Sequence, residues 1–340
     1  MTVPTSVRRL GDAFEGKLPD EQHWLDLIAI ANRGWLAPAL YRALERSGAL
    51  RDVPADPRDY LALLHDSNLK RNQRLKSQLL EAIAALNGNG VQPVLLKGAV
   101  HLLSRPDEDL GERMISDLDI SIDLDELARA RAALLPLGYR NAPSERELGR
   151  PDDVGLLELH MRASGRSARY LTSDLKSSSR RVDQGEAVAW IPSSEDRALH
   201  LIVHDMIKEG DLWRLRLDLR HLKDLAVLAR SPEGVRWDRL RSMLPDRTGR
   251  LALDLQLLML RDVFGVPIGS GDLERGTARF LHKARLLAIS DSRAGVAGRA
   301  VGNLWWGVHR ICNGYSWRGF RNLAGRTRNV FIEPPKGSRV

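Results

Sequence analysis

The sequence predicts an α+β protein in which a small mixed β-sheet core is flanked by N-terminal and C-terminal helical regions. Apolar residues recur at helical spacing over residues 20–86, and short runs typical of strands follow over residues 91–192. Helical spacing then returns over residues 195–289. We therefore expect four regions: helical residues 1–88, an α/β core at 89–192, a helical domain at 193–290, and a basic aromatic tail at 291–340.

The N-terminal helical region contains two predicted segments. Residues 20–48 carry apolar side chains at helical spacing, and Pro54 and Pro57 mark a break after them. A second helix is expected over residues 60–86, with a basic face. The Asn-Gly-Asn-Gly run at 87–90 is a typical helix stop, so we expect the helical region to end there.

The central region alternates between short strands and short helices. Residues 117–123 and 156–160 alternate polar and apolar side chains, which is the pattern of a half-buried strand. Other expected elements are a buried strand at 91–96, a helix at 99–103, a polar loop at 104–115, a helix at 124–135, a Ser- and Arg-rich loop at 164–184 and a strand at 187–192.

The C-terminal part is predicted to be mostly helical. Expected helices cover residues 195–208, 211–230, 235–244, 247–264 and 271–289. The tail that follows combines many arginines with Trp305, Trp306, Trp317 and Phe320. Such a tail fits contact with a membrane surface or RNA, and it fits equally a helix that packs its aromatic side on the body of the protein.

Composition limits the partners and the compartment. The net charge is +8, which favours nucleotides, nucleic acid or an acidic membrane surface as partners. Cys312 is the one cysteine, so no intrachain disulfide and no CxxC zinc site can form. Residues 1–18 lack the apolar segment of a secretory signal, and no run of about 18 apolar residues occurs. We expect a cytoplasmic protein, with peripheral membrane attachment as the alternative.

Asp117 and Asp119 are the central candidates for chemistry. Side chains two residues apart on a strand point to the same face, so the two carboxylates should lie side by side. Their repulsion is relieved by a hard divalent cation such as Mg²⁺ or Mn²⁺, which prefers oxygen ligands. A strand that carries two aspartates only for solubility is the simpler alternative.

Residues on either side strengthen the metal interpretation. Lys97 and Gly98 lie where a strand turns into a helix, a place where a phosphate can approach the backbone; a plain turn glycine beside a surface lysine is the alternative. Arg113 is placed to neutralise charge on phosphates, and Ser116 directly precedes the aspartate pair. Glu158 adds a third carboxylate if its strand pairs beside that of Asp119.

These residues resemble a known family. Leu-Leu-Lys-Gly-Ala at 95–99, Arg113 with Ser-Asp-Leu-Asp-Ile at 116–120, and Glu-Leu-His at 158–160 are similar to the uncharacterised nucleotidyltransferase family of bacteria, a branch of the polymerase-β-like superfamily. The resemblance covers about residues 20–265. It implies that Asp117, Asp119 and Glu158 are catalytic metal ligands, and it implies nucleotide contacts at Lys97, Gly98, Arg113 and Ser116.

The sequence departs from the wider superfamily at two of these positions. The superfamily usually has Gly-Ser or Gly-Gly where this chain has Lys97 and Gly98, and its third acid is often Asp rather than Glu158. A longer third acid shifts the ligand by about one methylene, which puts the metal geometry and the activity in question.

The expected function is Mg²⁺-dependent transfer of a nucleoside monophosphate from an NTP, with ATP as the expected donor, to an unidentified acceptor with release of pyrophosphate. Two alternatives are kept: a non-catalytic nucleotide-binding or antitoxin-like regulatory module, and a basic peripheral protein of membranes or RNA. His160 shares the strand face of Glu158, where it could orient a carboxylate or touch a phosphate; a structural hydrogen bond is the alternative. His200 and His204 lie four residues apart, and packed histidines are favoured there over a metal site.

Overall fold

Four helices precede the first strand. The structure is a computed structural model that describes residues 3–142, 147–161, 165–171, 174–269, 273, 276–289 and 293–312. The helices are α1 (Thr5–Phe14), α2 (Trp24–Arg33), α3 (Ala37–Arg46) and α4 (Ala55–Gly88). The predicted segment 20–48 is helical but divided, because the backbone of Trp35 turns into the left-handed region with a φ of 57°. The sequence analysis did not predict α1.

Helix α4 begins five residues before its predicted start. Pro57 was expected to lie in a break, and that expectation is wrong because Pro57 occupies the first turn of α4. A proline there removes an N–H that would have no partner inside the helix, so the helix tolerates it. On its buried side, Asn72 Nδ2 donates to the carbonyls of Leu110, at 2.7 Å, and of Arg113, at 2.8 Å.

Seven strands form a mixed sheet. In chain order they are β1 (Val94–Leu95), β2 (Asp117–Ser121), β3 (Arg140–Asn141), β4 (Glu147–Gly149), β5 (Leu156–His160), β6 (Arg180–Gln184) and β7 (Ala187–Ile191). Their order in the sheet is β3-β4-β5-β2-β1-β7-β6, with parallel pairing of β2 to β5 and of β1 to β7 and antiparallel pairing elsewhere. With helices before and after this sheet, the α+β prediction is confirmed.

The parallel pair of β2 and β5 fixes the side chains at the centre of the sheet. Asp119 lies opposite Glu158, and Ser121 lies opposite His160. The alternate residues Leu118, Ile120, Leu157 and Leu159 point the other way and are buried in the apolar cluster under the sheet. The pairing that the sequence analysis had to assume for Glu158 is therefore present.

Part of the predicted loop at 164–184 is a strand. Residues Arg180–Gln184 form β6 at one edge of the sheet, paired with β7. Four of its five side chains are exposed. A charged edge strand buries too little apolar surface to show the alternation on which the prediction relied, and its charges discourage pairing with other chains.

The short helices of the core also differ from expectation. Helix α5 (Lys97–Ser104) begins two residues before its predicted start, so Lys97 and Gly98 belong to its first turn. The predicted loop at 104–115 contains a 3₁₀ helix, Asp107–Glu112. Helix α6 (Leu127–Leu134) follows β2, close to the predicted position.

Helices after the sheet complete the fold. They are α7 (Ser194–Ile202), which continues as a π-helical segment (Val203–Lys208), then α8 (Asp211–Arg214), α9 (Leu219–Ala229), α10 (Trp237–Met243), α11 (Arg247–Phe264), α12 (Gly276–Ala288) and α13 (Arg293–Cys312). The predicted helix 211–230 is divided, because Leu215 has a φ of 56°. Apolar residues of α1–α3 pack with those of α7, α9 and α11 in one cluster.

The aromatic tail is described only in part. Trp306, on α13, is 6% exposed, and its ring lies against Gly210, where an added Cβ would be 2.4 Å from the ring. Its neighbour Trp305 is 56% exposed. Trp317 and Phe320 lie outside the described residues. Within the described part of the chain, none of the helices is long and apolar enough to cross a membrane.

Candidate functional site

Asp119 lies at the centre of a cluster of polar side chains on β2, β5 and α5. It is 1% exposed, yet its Oδ1 atom is 2.7 Å from Lys97 Nζ and 2.7 Å from His160 Nε2. A buried carboxylate is stable only with such partners, because the protein interior solvates charge poorly. Two groups that can carry positive charge therefore meet at one oxygen of Asp119.

Glu158 and His160 bring further ligand atoms to Asp119. His160 Nε2 is 3.5 Å from Glu158 Oε2, and the ligand atoms of Asp119, Glu158 and His160 all lie within 4.8 Å of one another. Two carboxylates and one imidazole at this spacing can hold a divalent cation. The sequence analysis considered His160 as a group that orients a carboxylate, touches a phosphate or makes a structural hydrogen bond, and not as a metal ligand.

The ionisation of Asp119 suits a metal ligand. Burial by itself raises the pKa of Asp119, but the hydrogen bond with His160 and the charge of Lys97 outweigh burial and hold that pKa well below its usual range. Asp119 is therefore ionised at neutral pH, and a metal ligand must be ionised in this way.

Asp117 and Ser116 lie at the start of β2. Asp117 is two residues from Asp119 on the same strand and accepts a hydrogen bond from Ser116 Oγ at 2.8 Å. Asp117 is not part of the group of three residues whose ligand atoms lie within 4.8 Å. Arg71, on α4, donates to the carbonyls of Ile115 and Val154, which lie two residues before the starts of β2 and β5.

Lys97 has an unusual backbone. Its φ is 44°, in the left-handed region that side chains other than glycine rarely adopt. Strain of this kind persists where the surroundings fix it, and it is common at functional sites. Here the amide of Leu96 donates to the Asp119 carbonyl at 3.0 Å, and Lys97 Nζ donates to the Asp119 carboxylate.

Gly98 and Arg113 are in contact. A Cβ on Gly98 would lie 2.7 Å from Arg113 Nη1 and 2.7 Å from Ile115 Cγ2, so the absence of a side chain makes room for the guanidinium. Arg113 also donates from Nε at 2.9 Å and from Nη2 at 2.8 Å to Asp224 Oδ2, on α9. The sequence analysis proposed that a phosphate approaches this glycine, and in the structure the Arg113 guanidinium lies on the side where a Cβ would be.

Asp224 is a site residue that the sequence analysis missed. It lies 111 positions from Arg113 in the chain. The one local signal is a carboxylate within an apolar helical pattern, between the buried residues Leu222 and Leu225 of α9. Such a carboxylate often faces a partner from elsewhere in the fold, and the sequence does not reveal which one.

A pocket rich in positive charge opens beside Lys97, between α3, α5, α7 and α9. Burial, helped by neighbouring cations, lowers the pKa of Lys223 to about 8 and the pKa of Arg197 to about 10. Among the described residues, neither side chain contacts a carboxylate. The six cationic residues of the lining are Lys97, Arg105, Arg113, Arg197, Arg220 and Lys223.

The acidic residues of this pocket already have partners. Asp224 pairs with Arg113, Glu112 pairs with Arg46, and Asp196 accepts from Ser193 Oγ at 2.6 Å. Lys97 pairs with Asp119, and four further cations form no ion pair with a described carboxylate: Arg105, Arg197, Arg220 and Lys223. The pocket therefore carries an excess of positive charge. An anionic ligand such as a phosphate group would restore the balance.

His200 and His204 have different surroundings. His200 lines the cationic pocket, where burial and the charge of Lys97 lower its pKa to about 3. His204 lies in the π-helical segment and contacts Asp205 instead.

Comparison with known proteins places the chain in a family. The model of a family described as an uncharacterised nucleotidyltransferase matches residues 20–265. The chain belongs to this uncharacterised nucleotidyltransferase family. The matched residues of this nucleotidyltransferase extend from just before α2 to the end of α11, so they include Asp119, Glu158, Arg113 and Asp224. No curated protein and no solved structure matches the chain.

Proposed function

We propose that this member of the family transfers a nucleoside monophosphate from an NTP to an acceptor and releases pyrophosphate, with Mg²⁺ or Mn²⁺ bound at Asp119. One observation carries the proposal: Asp119, Glu158 and His160 converge within 4.8 Å beside a pocket lined by six cationic residues. Carboxylates for a divalent cation and cations for phosphates are the two requirements of phosphoryl transfer.

The donor set fits a divalent cation. Asp119 and Glu158 provide carboxylate oxygens, Asp117 lies on the same strand face as Asp119, and the low pKa of Asp119 keeps it ionised. We assign Asp117, Asp119 and Glu158 as the ligands of a two-metal arrangement, with His160 as a further ligand or as the group that orients Asp119. Bound cations would supply charge stabilisation for the phosphates and lower the pKa of the attacking hydroxyl.

The cationic pocket would hold the phosphates of the NTP. Lys97, which contacts Asp119, lines this pocket together with Arg113, Arg197 and Lys223. We propose Ser116 and the backbone of Gly98 as further nucleotide contacts. We propose that these cations neutralise the pyrophosphate as it leaves, since preorganised positive groups stabilise developing negative charge. ATP is the expected donor.

The chemical step follows from this placement. The acceptor oxygen would form a bond to the α-phosphorus, while the bond from that phosphorus to the oxygen bridging to the β-phosphate breaks. Glu158 would take the proton of the acceptor hydroxyl, because Asp119 Oδ1 is already engaged by Lys97 and His160. Pyrophosphate leaves with the electron pair of the broken bond.

The ion pair between Lys97 and Asp119 supports a second function, which is nucleotide binding without transfer. Lys97 Nζ occupies Asp119 Oδ1 at 2.7 Å, where a catalytic cation would bind. A protein that keeps this pair intact would bind nucleotide without transferring it, as a regulatory module. Binding of NTP without pyrophosphate release would favour this second function.

The test is incubation with each of the four NTPs, labelled at the α-phosphate, with Mg²⁺ or Mn²⁺ and a cell extract as the source of acceptor. We expect pyrophosphate release and transfer of label, and a loss of about 100-fold or more in Asp119→Asn. Asp183→Asn is the matched control, since Asp183 lies on edge strand β6 with a side chain 57% exposed. Unchanged pyrophosphate release in folded Asp119→Asn would overturn the proposal.

A further inference from the structure

A second cluster of histidine and aspartate lies where the π-helical segment Val203–Lys208 meets α9. Asp205 Oδ1 is 2.8 Å from His221 Nδ1 and 3.0 Å from His204 Nδ1. The ligand atoms of these three residues lie within 4.8 Å of one another, and they form a group separate from that of Asp119. The sequence analysis considered only His200 as a neighbour of His204, and the structure replaces it with His221.

Only one of the two carboxylate oxygens of Asp205 has hydrogen-bond partners among the described residues. Asp205 is 3% exposed, and both histidines approach its Oδ1 atom, while its buried Oδ2 atom has no hydrogen-bond partner among the described residues. A buried carboxylate oxygen without a partner is unfavourable, so it indicates a ligand that completes it. This observation is independent of the spacing of the three side chains.

A polar cavity adjoins the cluster. His204, Asp205, Asp211 and Asp218 line it, and its volume is about 510 Å³. Asp211 Oδ1 is also buried without a hydrogen-bond partner among the described residues. Arg33, Arg216 and Arg220 also line the cavity, and Arg216 Nε is 3.8 Å from Asp211 Oδ1, whereas Oδ2 of Asp205 has no hydrogen-bond partner among the described residues.

The distances suit a small metal ion. Bonds of about 2.0–2.2 Å to nitrogen and oxygen in a tetrahedral site place neighbouring ligand atoms about 3.3–3.5 Å apart. The two N···O distances of 2.8 and 3.0 Å would have to open by only a few tenths of an ångström. The rings of His204 and His221 are nearly perpendicular, at 84°, with centroids 5.7 Å apart, so both Nδ1 atoms converge without stacking.

A fourth position is available. Asp218 Oδ2 is 3.7 Å from His221 Nδ1, and the adjoining cavity has room for a water molecule. The π-helical geometry of residues 203–208 supports the interpretation, since π-helical turns are frequent at functional sites.

We propose that His204, Asp205 and His221 bind one divalent transition metal ion of the Zn²⁺ class, separate from the cation at Asp119. Two imidazoles and one carboxylate suit such ions, whereas Mg²⁺ favours oxygen ligands alone. The ion would join the π-helical segment to the first turns of α9. It would thereby position Asp224, which lies three residues after His221 on the same side of that helix and holds Arg113. This site does not depend on the proposed transferase activity.

The test uses the full chain freed of metal with a chelator and then titrated with Co²⁺ in the presence of excess Mg²⁺. We expect one Co²⁺ per chain with the visible absorption of a four- or five-coordinate ion, and displacement by Zn²⁺. The double variant Asp119→Asn/Glu158→Gln should keep this spectrum. His221→Gln and His204→Gln should each bind Co²⁺ at least 10-fold more weakly.

Two outcomes would overturn the proposal. One is a wild-type protein that shows no such absorption in excess Mg²⁺, and the other is an unchanged Co²⁺ affinity in a folded His221→Gln or His204→Gln variant. His204 is the safer substitution, because its side chain is 21% exposed whereas that of His221 is 4% exposed. Thermal unfolding of the wild-type protein needs no variant: Zn²⁺ should raise its Tm, and an unchanged Tm counts against the site.

Discussion

Arg113 donates two hydrogen bonds to one oxygen of Asp224, from Nε at 2.9 Å and from Nη2 at 2.8 Å. The arginine follows the 3₁₀ helix of the core and the aspartate lies on α9. Both side chains are largely buried, with 9% and 22% of their surfaces exposed. This ion pair therefore ties the loop that leads into β2 to the helices after the sheet.

Removal of one partner of this pair should be costly. Asp224→Ala leaves the Arg113 charge buried without a counterion, and we expect a loss of about 3 kcal/mol in the free energy of unfolding. Urea denaturation measures this loss, with the exposed Asp183→Ala as the control. The double variant Asp224→Ala/Arg113→Met should recover part of the loss, because it removes the unpaired charge. A double variant that is less stable by the sum of both single losses would contradict this account.

Gly98 should not tolerate a methyl group. Gly98→Ala places a Cβ within 2.7 Å of Arg113 Nη1 and of Ile115 Cγ2, so the arginine must move. We expect a loss of about 1–3 kcal/mol in stability and weaker NTP binding. Gly88→Ala is the matched control, since nothing lies within 4 Å of its added Cβ and Gly88 ends α4. Denaturation and NTP titration of both variants give the comparison, and equal effects would argue against the close contact.

Two substitutions of Lys97 distinguish the effect of its left-handed backbone from the effect of its charge. Lys97→Ala and Lys97→Gly both remove the contact with Asp119, but only glycine adopts a φ of 44° without strain. We expect the glycine variant to be more stable than the alanine variant by about 1 kcal/mol. Both variants should bind NTP more weakly than the wild type. A glycine variant that is clearly less stable than the alanine variant would mean that this turn carries no strain.

Asp119 should make stability depend on acid pH. The folded pKa of Asp119 lies below its ordinary value of 3.8, so the carboxylate stabilises the fold above that value. The contribution is lost as the pH falls from the ordinary value through the lower folded pKa. Unfolding free energies over this pH range should fall more steeply for the wild type than for Asp119→Asn. Parallel pH curves for the two proteins would contradict the assigned direction.

Acylation of Lys223 should begin at a lower pH than acylation of a lysine with the ordinary pKa. Burial lowers the pKa of Lys223 to about 8, so a much larger fraction is neutral at mildly alkaline pH than for a lysine with the ordinary value of 10.5. Limited acylation followed by mass spectrometry should label Lys223 at that pH, and an NTP bound in the pocket should protect it. Lys223→Met provides the assignment of the labelled peptide. Labelling that NTP does not slow would remove Lys223 from the phosphate site.

The sequence predicted the centre of the site because that centre depends on local periodicity. Alternation along β2 and β5 placed Asp119 and Glu158 on the polar faces of their strands, and the register then set them opposite each other. The register itself is a non-local fact. The contact of Arg113 with Asp224 spans 111 positions and depends on how α9 packs, so no local pattern could reveal it.

The errors in the predicted elements have equally physical causes. Strand β6 lies at a sheet edge and exposes polar side chains, so it shows no apolar alternation. Pro57 was interpreted as a break although a proline in the first turn of a helix removes no hydrogen bond. Trp35 and Leu215 divide predicted helices through positive φ angles that their residue types do not signal.

Helix α4 contributes residues to both apolar clusters of the molecule. Leu61 near its start belongs to the cluster shared by the N-terminal and later helices, whereas Leu75 belongs to the cluster under the sheet. Its 34 residues correspond to a rod about 51 Å long. Unfolding of either cluster would expose the apolar residues of α4 that pack in it. We therefore expect the two clusters to unfold together, in a single transition with heat or denaturant.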